Sequence, residues 1–529
     1  MHWLLESFGY LAPAAPALIV LWALARIYIY FYEKERYWGW DHAVVDAHKR
    51  AHKKINTDNL KFPKDFLWGV ATAAHQVEGG CTNNNWSRFE SFTKPDGKPA
   101  VHNRDTAARA CEHWERYPED IQLMSNIGLN SYRFSVEWSK VVPRRGVVDK
   151  AALDHYKDVL DKLDQKGIVP MVTLHHFTNP IWFEDLGGWE KLENVDDFLF
   201  FVKTVFAEFG PRVKYWCTFN EPEGYAACGW ILGVHPPGKR TAHTLVGVVM
   251  THILDAHVRS YKLMKSMPGG ANTEIGWCKS YFQYEPNNPL NPVEVIASWR
   301  TEWLMNGSLL EFFRSGNYNL HVLPFNIPFL QLANYYNPDG PRSFDFVGLN
   351  YYSHNVSGFG HPWEWHQDGI ISLINKDGLM TDMHYSVYPE GFYHAIKDMA
   401  SLKKPVVVTE NGIADANDTR RHLFLRRYLY AMSKAISEGI DVRGYFHWTL
   451  MDNFEWAEGY DSRFGLFETN FETQERTMRD SCKYYMKVIQ LWKEGKYRLE
   501  GPVGADKAHA LESNGNGHAA ETNGKLHSN

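Results

Sequence analysis

The amino-acid sequence predicts an α/β fold: a single parallel (β/α)8 barrel preceded by an N-terminal membrane-anchor helix. Three observations lead there. Short strand-like runs alternate eight times with helical stretches between residues 66 and 447, the pattern that closes a parallel barrel. The run VVV at 406–408 is β-branched, too short for a helix and apolar on every face, as a strand buried on both sides must be. A mostly apolar stretch at 11–32 is long enough for a membrane helix.

That stretch reads LAPAAPALIVLWALARIYIYFY. Arg26 interrupts it, costing roughly 2.5–3.5 kcal/mol if held at mid-bilayer. Near the interface it can snorkel, and Tyr28, Tyr30, Tyr32, Trp38 and Trp40 belong at the same level. A cleaved signal peptide is the rival, since Ala23-Leu24-Ala25 has the small-x-small pattern, but only His2 and Glu6 precede the apolar run where a basic region belongs. Lys34, Arg36, Lys49 and Arg50 all follow it, so the positive-inside rule puts a single-pass anchor with its barrel on the cytoplasmic side. Sequons at Asn85, Asn306, Asn355 and Asn417 point instead to the secretory pathway, although such triplets arise readily by chance. The expected organisation is an anchor at 1–33, a charged juxtamembrane linker at 34–60, the barrel at 61–500 and a tail at 501–529. The tail is rich in Gly, Asn, Ala and His without an aromatic residue, and is expected to be disordered.

The barrel strands are expected at 66–73, 131–137, 169–174, 215–219, 274–281, 346–352, 406–409 and 442–447, with helices over 106–126, 151–166 and 418–438 among the segments between them. Neither an internal repeat nor a second domain is apparent. A hydrophobic content of 44% supports a large core, and a net charge of −6 offers nothing for nucleic acid. The six cysteines are scattered without metal-ligand spacing, which predicts free thiols in a reducing compartment and no metal or cofactor.

The strand at 406–409 stops at Glu410, and Asn411-Gly412 supplies the turn that leaves it. A carboxylate is thereby delivered to the end of a buried strand, where barrel enzymes carry their catalytic groups. Taken alone, Glu410 reads as readily as a solvated loop residue. The run YWCTF at 215–219, however, ends the same way, in Asn220-Glu221. Two strand-end glutamates far apart in sequence are the minimum equipment of a glycosidase.

TFNEP around Glu221 and VTENG around Glu410 resemble the acid/base and nucleophile signatures of glycoside hydrolase family 1, the β-glucosidases, and the resemblance runs from about residue 62 to about residue 485. It implies a (β/α)8 barrel that cleaves β-glycosides with retention of configuration. Glu410 would attack the anomeric carbon while Glu221 protonates the leaving group. Arg133, in YRFSVEW, resembles the arginine that keeps the nucleophile ionised, and Tyr352, in NYYS, the tyrosine whose hydroxyl contacts it. Asn350 belongs to the same cluster, and Asn220 matches the residue that binds the sugar 2-hydroxyl. Gln76, in ATAAHQVEG, corresponds to a glutamine that grips two hydroxyls, which suits an amide that both donates and accepts. His176 falls on the sugar-binding histidine, though the adjacent His175 leaves the register open. The stretch WTLMDNFEWAEGYDSRFG supplies Trp448 as a stacking floor, Glu455 for hydroxyls 4 and 6, Trp456, and Phe464 beside position 6. The 20 tryptophans fit such a role, since flat aromatic faces stack on sugars.

Glu223 and Thr178 depart from the residues many relatives carry on the leaving-group side, so the aglycone is left open. Glu455 argues against 6-phosphosugars, whose charge it would repel, and the intact Glu221 against thioglucosidases. The expected function is an exo-acting retaining β-glucosidase with a β-glycoside substrate that an anchored enzyme would find on a lipid. A membrane-associated transglycosylase acting on galactolipids and a non-catalytic receptor-like homologue are the alternatives.

Overall fold

The computed structural model describes residues 19–25, 27–28, 38, 55–321, 331–357 and 379–499. Eight parallel strands close the barrel: β1 (Leu67–Ala71), β2 (Ser131–Ser135), β3 (Val169–His175), β4 (Tyr215–Asn220), β5 (Glu274–Pro286), β6 (Phe346–Ser357), β7 (Val406–Asn411) and β8 (Val442–Trp448). Each pairs with its neighbour in sequence, and β1 closes on β8 with Leu67 opposite Gly444 and Ala71 opposite Trp448. Every residue of β1, β2 and β7 is buried, which is why these strands read as continuous apolar runs rather than alternating ones.

The outer helices follow from amphipathic spacing. Val195–Phe209 buries Phe198, Phe201, Val202, Val205, Phe206 and Phe209 along one face. Lys150–Gln165 starts at Asp149, whose carboxylate accepts the Ala151 and Ala152 N–H groups, a cap worth about 1 kcal/mol. The last helix, Cys482–Lys493, packs against β1 and β8: Tyr485 Oη donates to the Gly69 carbonyl at 2.9 Å, and Trp492 Nε1 donates to that of Pro63 at 2.8 Å.

All eight expected strands are found, with three informative differences. The helix expected over 106–126 begins only at His113, because Cys111 and Gly80 are tied by backbone bonds to Val77 and Ala108, and Ala110 and Glu112 take left-handed φ of 48° and 51°. Strands β5 and β6 run past the barrel as a paired arm, from Gln283 opposite His354 to Pro286 opposite Ser357. Two small antiparallel pairs, Asn317–His321 with Gln331–Tyr336 and Phe467–Thr469 with Arg476–Met478, lie outside the barrel, where their short polar stretches gave no strand signal. All six cysteines are free thiols.

The expected anchor at 1–33 falls mostly outside the described residues, as do most of the linker and the whole of 501–529. Residues 19–25 and 27–28 are helical, with Ile19, Leu21, Trp22 and Ile27 exposed. No helix among the described residues is long and apolar enough to cross a membrane. From the linker, Trp38 packs edge-on against Tyr393 with ring centroids 5.2 Å apart, and its N–H donates to Glu390 at 2.9 Å.

The ends of β7 and β8 approach so closely that a Cβ on Gly412 would lie 1.8 Å from the Trp448 carbonyl oxygen. Gly412→Ala must therefore separate these ends, and overpacking of this kind costs about 1–3 kcal/mol. The expected outcome is a lower urea midpoint together with lost turnover, since Glu410 and Trp448 both move. A variant with the wild-type midpoint would show that this approach is no constraint.

Candidate active site

At the carboxyl end of the barrel, β7 delivers Glu410 into a largely buried network. Arg133, entering from β2 with no exposed surface, donates from Nη1 to Glu410 Oε1 at 2.6 Å. The rest of its guanidinium is also bonded: Nε to Thr173 Oγ1 at 3.1 Å, Nη1 to the Thr409 carbonyl at 3.3 Å and Nη2 to Asn220 Oδ1 at 2.7 Å. The second oxygen of Glu410 accepts the Tyr352 hydroxyl at 2.7 Å. Glu221, at the end of β4, takes a left-handed φ of 44° that turns it into the cleft. Its Oε1 accepts from Asn350 Nδ2 at 2.8 Å, and the same amide reaches Asn220 Oδ1 at 3.0 Å. Thr409 Oγ1 holds Asn350 in that orientation by donating to its Oδ1 at 2.6 Å.

The two carboxyls are electrostatically unequal. Burial raises the Glu410 carboxyl above its ordinary range, but the Arg133 charge and the Tyr352 and Arg133 hydrogen bonds oppose that rise. Glu221 is pushed up to about 8, first by burial and then by the Glu410 charge. A proton shared by the pair therefore resides on Glu221. Tyr352 is held well above the usual phenol range by burial and by Glu410, so it remains a donor. His176 is held neutral by burial and by the Arg133 charge.

Around this centre lie the remaining residues singled out in the sequence. His176 Nε2 lies 3.1 Å from Asn220 Nδ2, and its ring lies nearly parallel to Trp448 and Trp456, with centroids 6.0 and 6.1 Å away. His175 instead bonds Asn179 and packs against Trp189 and Phe219, so the register is resolved: His176 faces the cleft and His175 the core. Gln76 Nε2 donates to the Phe454 carbonyl at 2.8 Å and approaches Glu455 Oε2 at 3.4 Å. Gln76 Oε1 and His176 Nδ1 are buried without a partner among the described residues, which leaves each free for a ligand. Glu455 is pushed up to about 8, first by burial and then by Glu410. Phe464 stands edge-on to Tyr352 at 6.0 Å.

Some residues in the same motifs turn away. His75 pairs with Glu90 at 2.9 Å, Glu78 with Lys140 at 2.9 Å, and Thr178 donates to Glu137 at 3.0 Å. Two participants carry no sequence signal of their own: Thr173, which accepts from Arg133, and Thr409, which orients Asn350, are ordinary strand threonines.

The arrangement supplies an ionised, oriented carboxylate, a protonated carboxyl beside it and a polar, aromatic cleft, which together suit nucleophilic and acid/base chemistry on a polyhydroxylated substrate. Comparison with known proteins agrees. Residues 58–494 match the family model "Glycosyl hydrolase family 1". Beta-glucosidase A of Thermotoga maritima is 35% identical over 450 residues, covering 81% of this chain and 98% of the relative. Coniferin beta-glucosidase of Pinus contorta is 31% identical, covering 84% and 95%. Among solved structures, the Thermotoga maritima beta-glucosidase in complex with glucoimidazole superposes with a TM-score of 0.72 at 32% identity, over 82% of this chain and 99% of that one. A beta-glycosidase from Pyrococcus horikoshii gives 0.70 at 32% identity, over 84% and 99%. The chain belongs to glycosyl hydrolase family 1 and is a glycoside hydrolase.

Proposed function

We propose that this enzyme is an exo-acting retaining β-glucosidase with Glu410 as nucleophile and Glu221 as acid/base. The observation that carries the reading is the unequal environment of the two carboxyls: Arg133 and Tyr352 bond Glu410, whereas Glu221 is pushed up to about 8. Glu410 attacks the anomeric carbon as the bond to the leaving oxygen breaks, and Glu221 gives that oxygen its proton. The glycosyl ester so formed has no charge on Glu410, which removes part of what raised Glu221. Glu221, now ionised, takes a proton from water as the water oxygen displaces Glu410. Gln76, His176, Asn220, Asn350, Trp448, Glu455, Trp456 and Phe464 are assigned to the terminal glucosyl unit.

The two carboxylates are separable by experiment. Glu410→Ala should abolish turnover of β-glucosides. Glu221→Ala should lose about 10²–10⁴-fold on unactivated substrates, yet still form the ester from an activated aryl glucoside and stall there. Added azide should then release the β-azide from Glu221→Ala, through two inversions, and the α-azide from Glu410→Ala, through one. Proton NMR of the product decides; the same anomer from both variants would sink the assignment.

The substrate is further proposed to be lipid-linked and the chain anchored through 11–32, with the barrel on the cytoplasmic side. Support comes from the apolar run, the basic residues after it and the docking of Trp38 on the barrel. Removal of residues 1–54 should leave aryl glucoside cleavage intact while the protein leaves the membrane fraction; an inert but folded truncation would give the segment a catalytic role.

The sequons allow a sharper test of orientation. Asn85 and Asn306 are buried, with amides donating to Phe177 and Phe282, and so are poor acceptors once folded. Asn417 is exposed and Asn355 partly so. Protein made in a eukaryotic cell should show no mass shift on deglycosylation. A shift removed by Asn355→Gln and Asn417→Gln would put the barrel in the lumen.

A further inference from the structure

The charges around Glu221 do not end with Glu410. Lys279 and Glu223 form a buried ion pair of 2.8 Å, with side chains 0% and 6% exposed. Lys279 lies in β5, and its ammonium also donates to the Ser280 carbonyl. Glu223 sits in the first turn of the short helix Pro222–Ala226, which begins directly after Glu221. The Glu221 N–H donates to the carbonyl of Cys278, the residue before Lys279, at 2.8 Å. A Cβ on Gly224 would lie 3.4 Å from Glu221 Oε2 and 3.9 Å from Ser280 Cβ. The space beside Gly224 is thus bordered by the Glu221 carboxyl and by Ser280, and the chain neighbours of Gly224 and Ser280, Glu223 and Lys279, are the pair.

Stability alone is a poor reason for such a pair, because desolvating two charges offsets most of their attraction. We propose that Glu223 and Lys279 are positioning residues for the acid/base carboxyl, presenting opposed charges on one side of Glu221 and so setting the pH at which it keeps its proton. The inference rests on Glu221 as proton donor. The Glu223 carboxylate favours the protonated form of Glu221 and the Lys279 ammonium the ionised form. The other titratable groups facing Glu221 are Glu410 from β7, Tyr352 from β6, Cys228 from the helical turn Ala227–Leu232 that continues Pro222–Ala226, and Tyr385 from a loop. Burial holds the last three in their neutral forms, so the charges around Glu221 are Glu410, the Arg133 guanidinium bonded to it, and the pair.

The test is the pH profile of kcat/KM on two substrates, an alkyl β-glucoside that needs its leaving group protonated and an activated aryl β-glucoside that does not. Wild-type enzyme should lose the alkyl substrate, and keep the aryl one, as Glu221 deprotonates on the alkaline side. Glu223→Gln leaves the Lys279 charge unopposed, so the alkaline limb for the alkyl substrate should move down by about one pH unit. The double variant Glu223→Gln, Lys279→Met removes both charges and should return the limb close to its wild-type position, which a merely structural defect would not do. A limb unmoved or raised in Glu223→Gln, or not restored in the double variant, overturns the proposal. Should Glu223→Gln fail to fold, Lys279→Met gives the mirror test: an upward shift supports the pair's role, and an absent or downward one overturns it. A wild-type profile with no alkaline limb peculiar to the alkyl substrate would instead overturn Glu221 as the acid.

Discussion

Arg133 places a permanent positive charge inside the barrel, where an ion left unpaired would cost several kcal/mol. That constraint reaches into four strands. The guanidinium is itself held by β2; Thr173 comes from β3, Asn220 from β4, and Thr409 with Glu410 from β7. Because a guanidinium is planar and never loses its proton, its donors fix directions as well as charge. Each contact therefore requires its strand in one register. A slip of one residue in β7 would bring Glu410 to the outer face and leave Arg133 without its counter-charge.

The same ion pair divides the labour between the acids of the site. Three carboxyls, Glu221, Glu410 and Glu455, crowd one desolvated cleft, and like charges so placed cannot all ionise. Arg133 and Tyr352 choose Glu410 as the one that does. Glu221 and Glu455 are both raised to about 8, each by burial first and the Glu410 charge second, so burial and Glu410 together keep these two protonated. A protonated Glu455 can donate to a hydroxyl as well as accept from one. The acid assignments follow from where one arginine sits rather than from any intrinsic difference between the glutamates.

How much of this was legible in the chain depended on scale. Strands announced themselves through burial on both faces, as in VVV before Glu410, and strand ends through abrupt polar pairs such as Asn220-Glu221. Glu410 and Glu221 are readable because each ends a strand in a polar pair, whereas Arg133, in the middle of β2, is readable only through the family resemblance of YRFSVEW. The choice between His175 and His176 was not, since adjacent strand residues face opposite sides and only the pleat decides which meets Asn220. Thr173 and Thr409 stayed invisible for another reason: strand threonines are common, and their hydroxyls matter here only through partners 40 and 59 residues distant in sequence. The β5 and β6 arm escaped because a strand pair leaving the barrel no longer needs the continuous apolar pattern.

Three left-handed residues stand where barrel strands end at the site. Phe177, Glu221 and Trp456, which follow β3, β4 and β8, have φ of 69°, 44° and 50° without being glycine. Each such residue costs on the order of 1–3 kcal/mol, so its surroundings must over-determine it. Aromatic packing does so for two of them: Phe177 and Trp456 meet at 5.2 Å, and Trp456 is also held by Trp86 at 4.7 Å and by the stacked ring of His75 at 6.0 Å. Glu221 has no comparable aromatic clamp in that set. It is held by its N–H on the Cys278 carbonyl, its carboxyl on Asn350 and the helix that starts at Pro222. The aromatic wall is thus fixed by dispersion and shape, whereas Glu221 is fixed by polar contacts that can follow a change in its charge, which suits the acid/base role proposed for it.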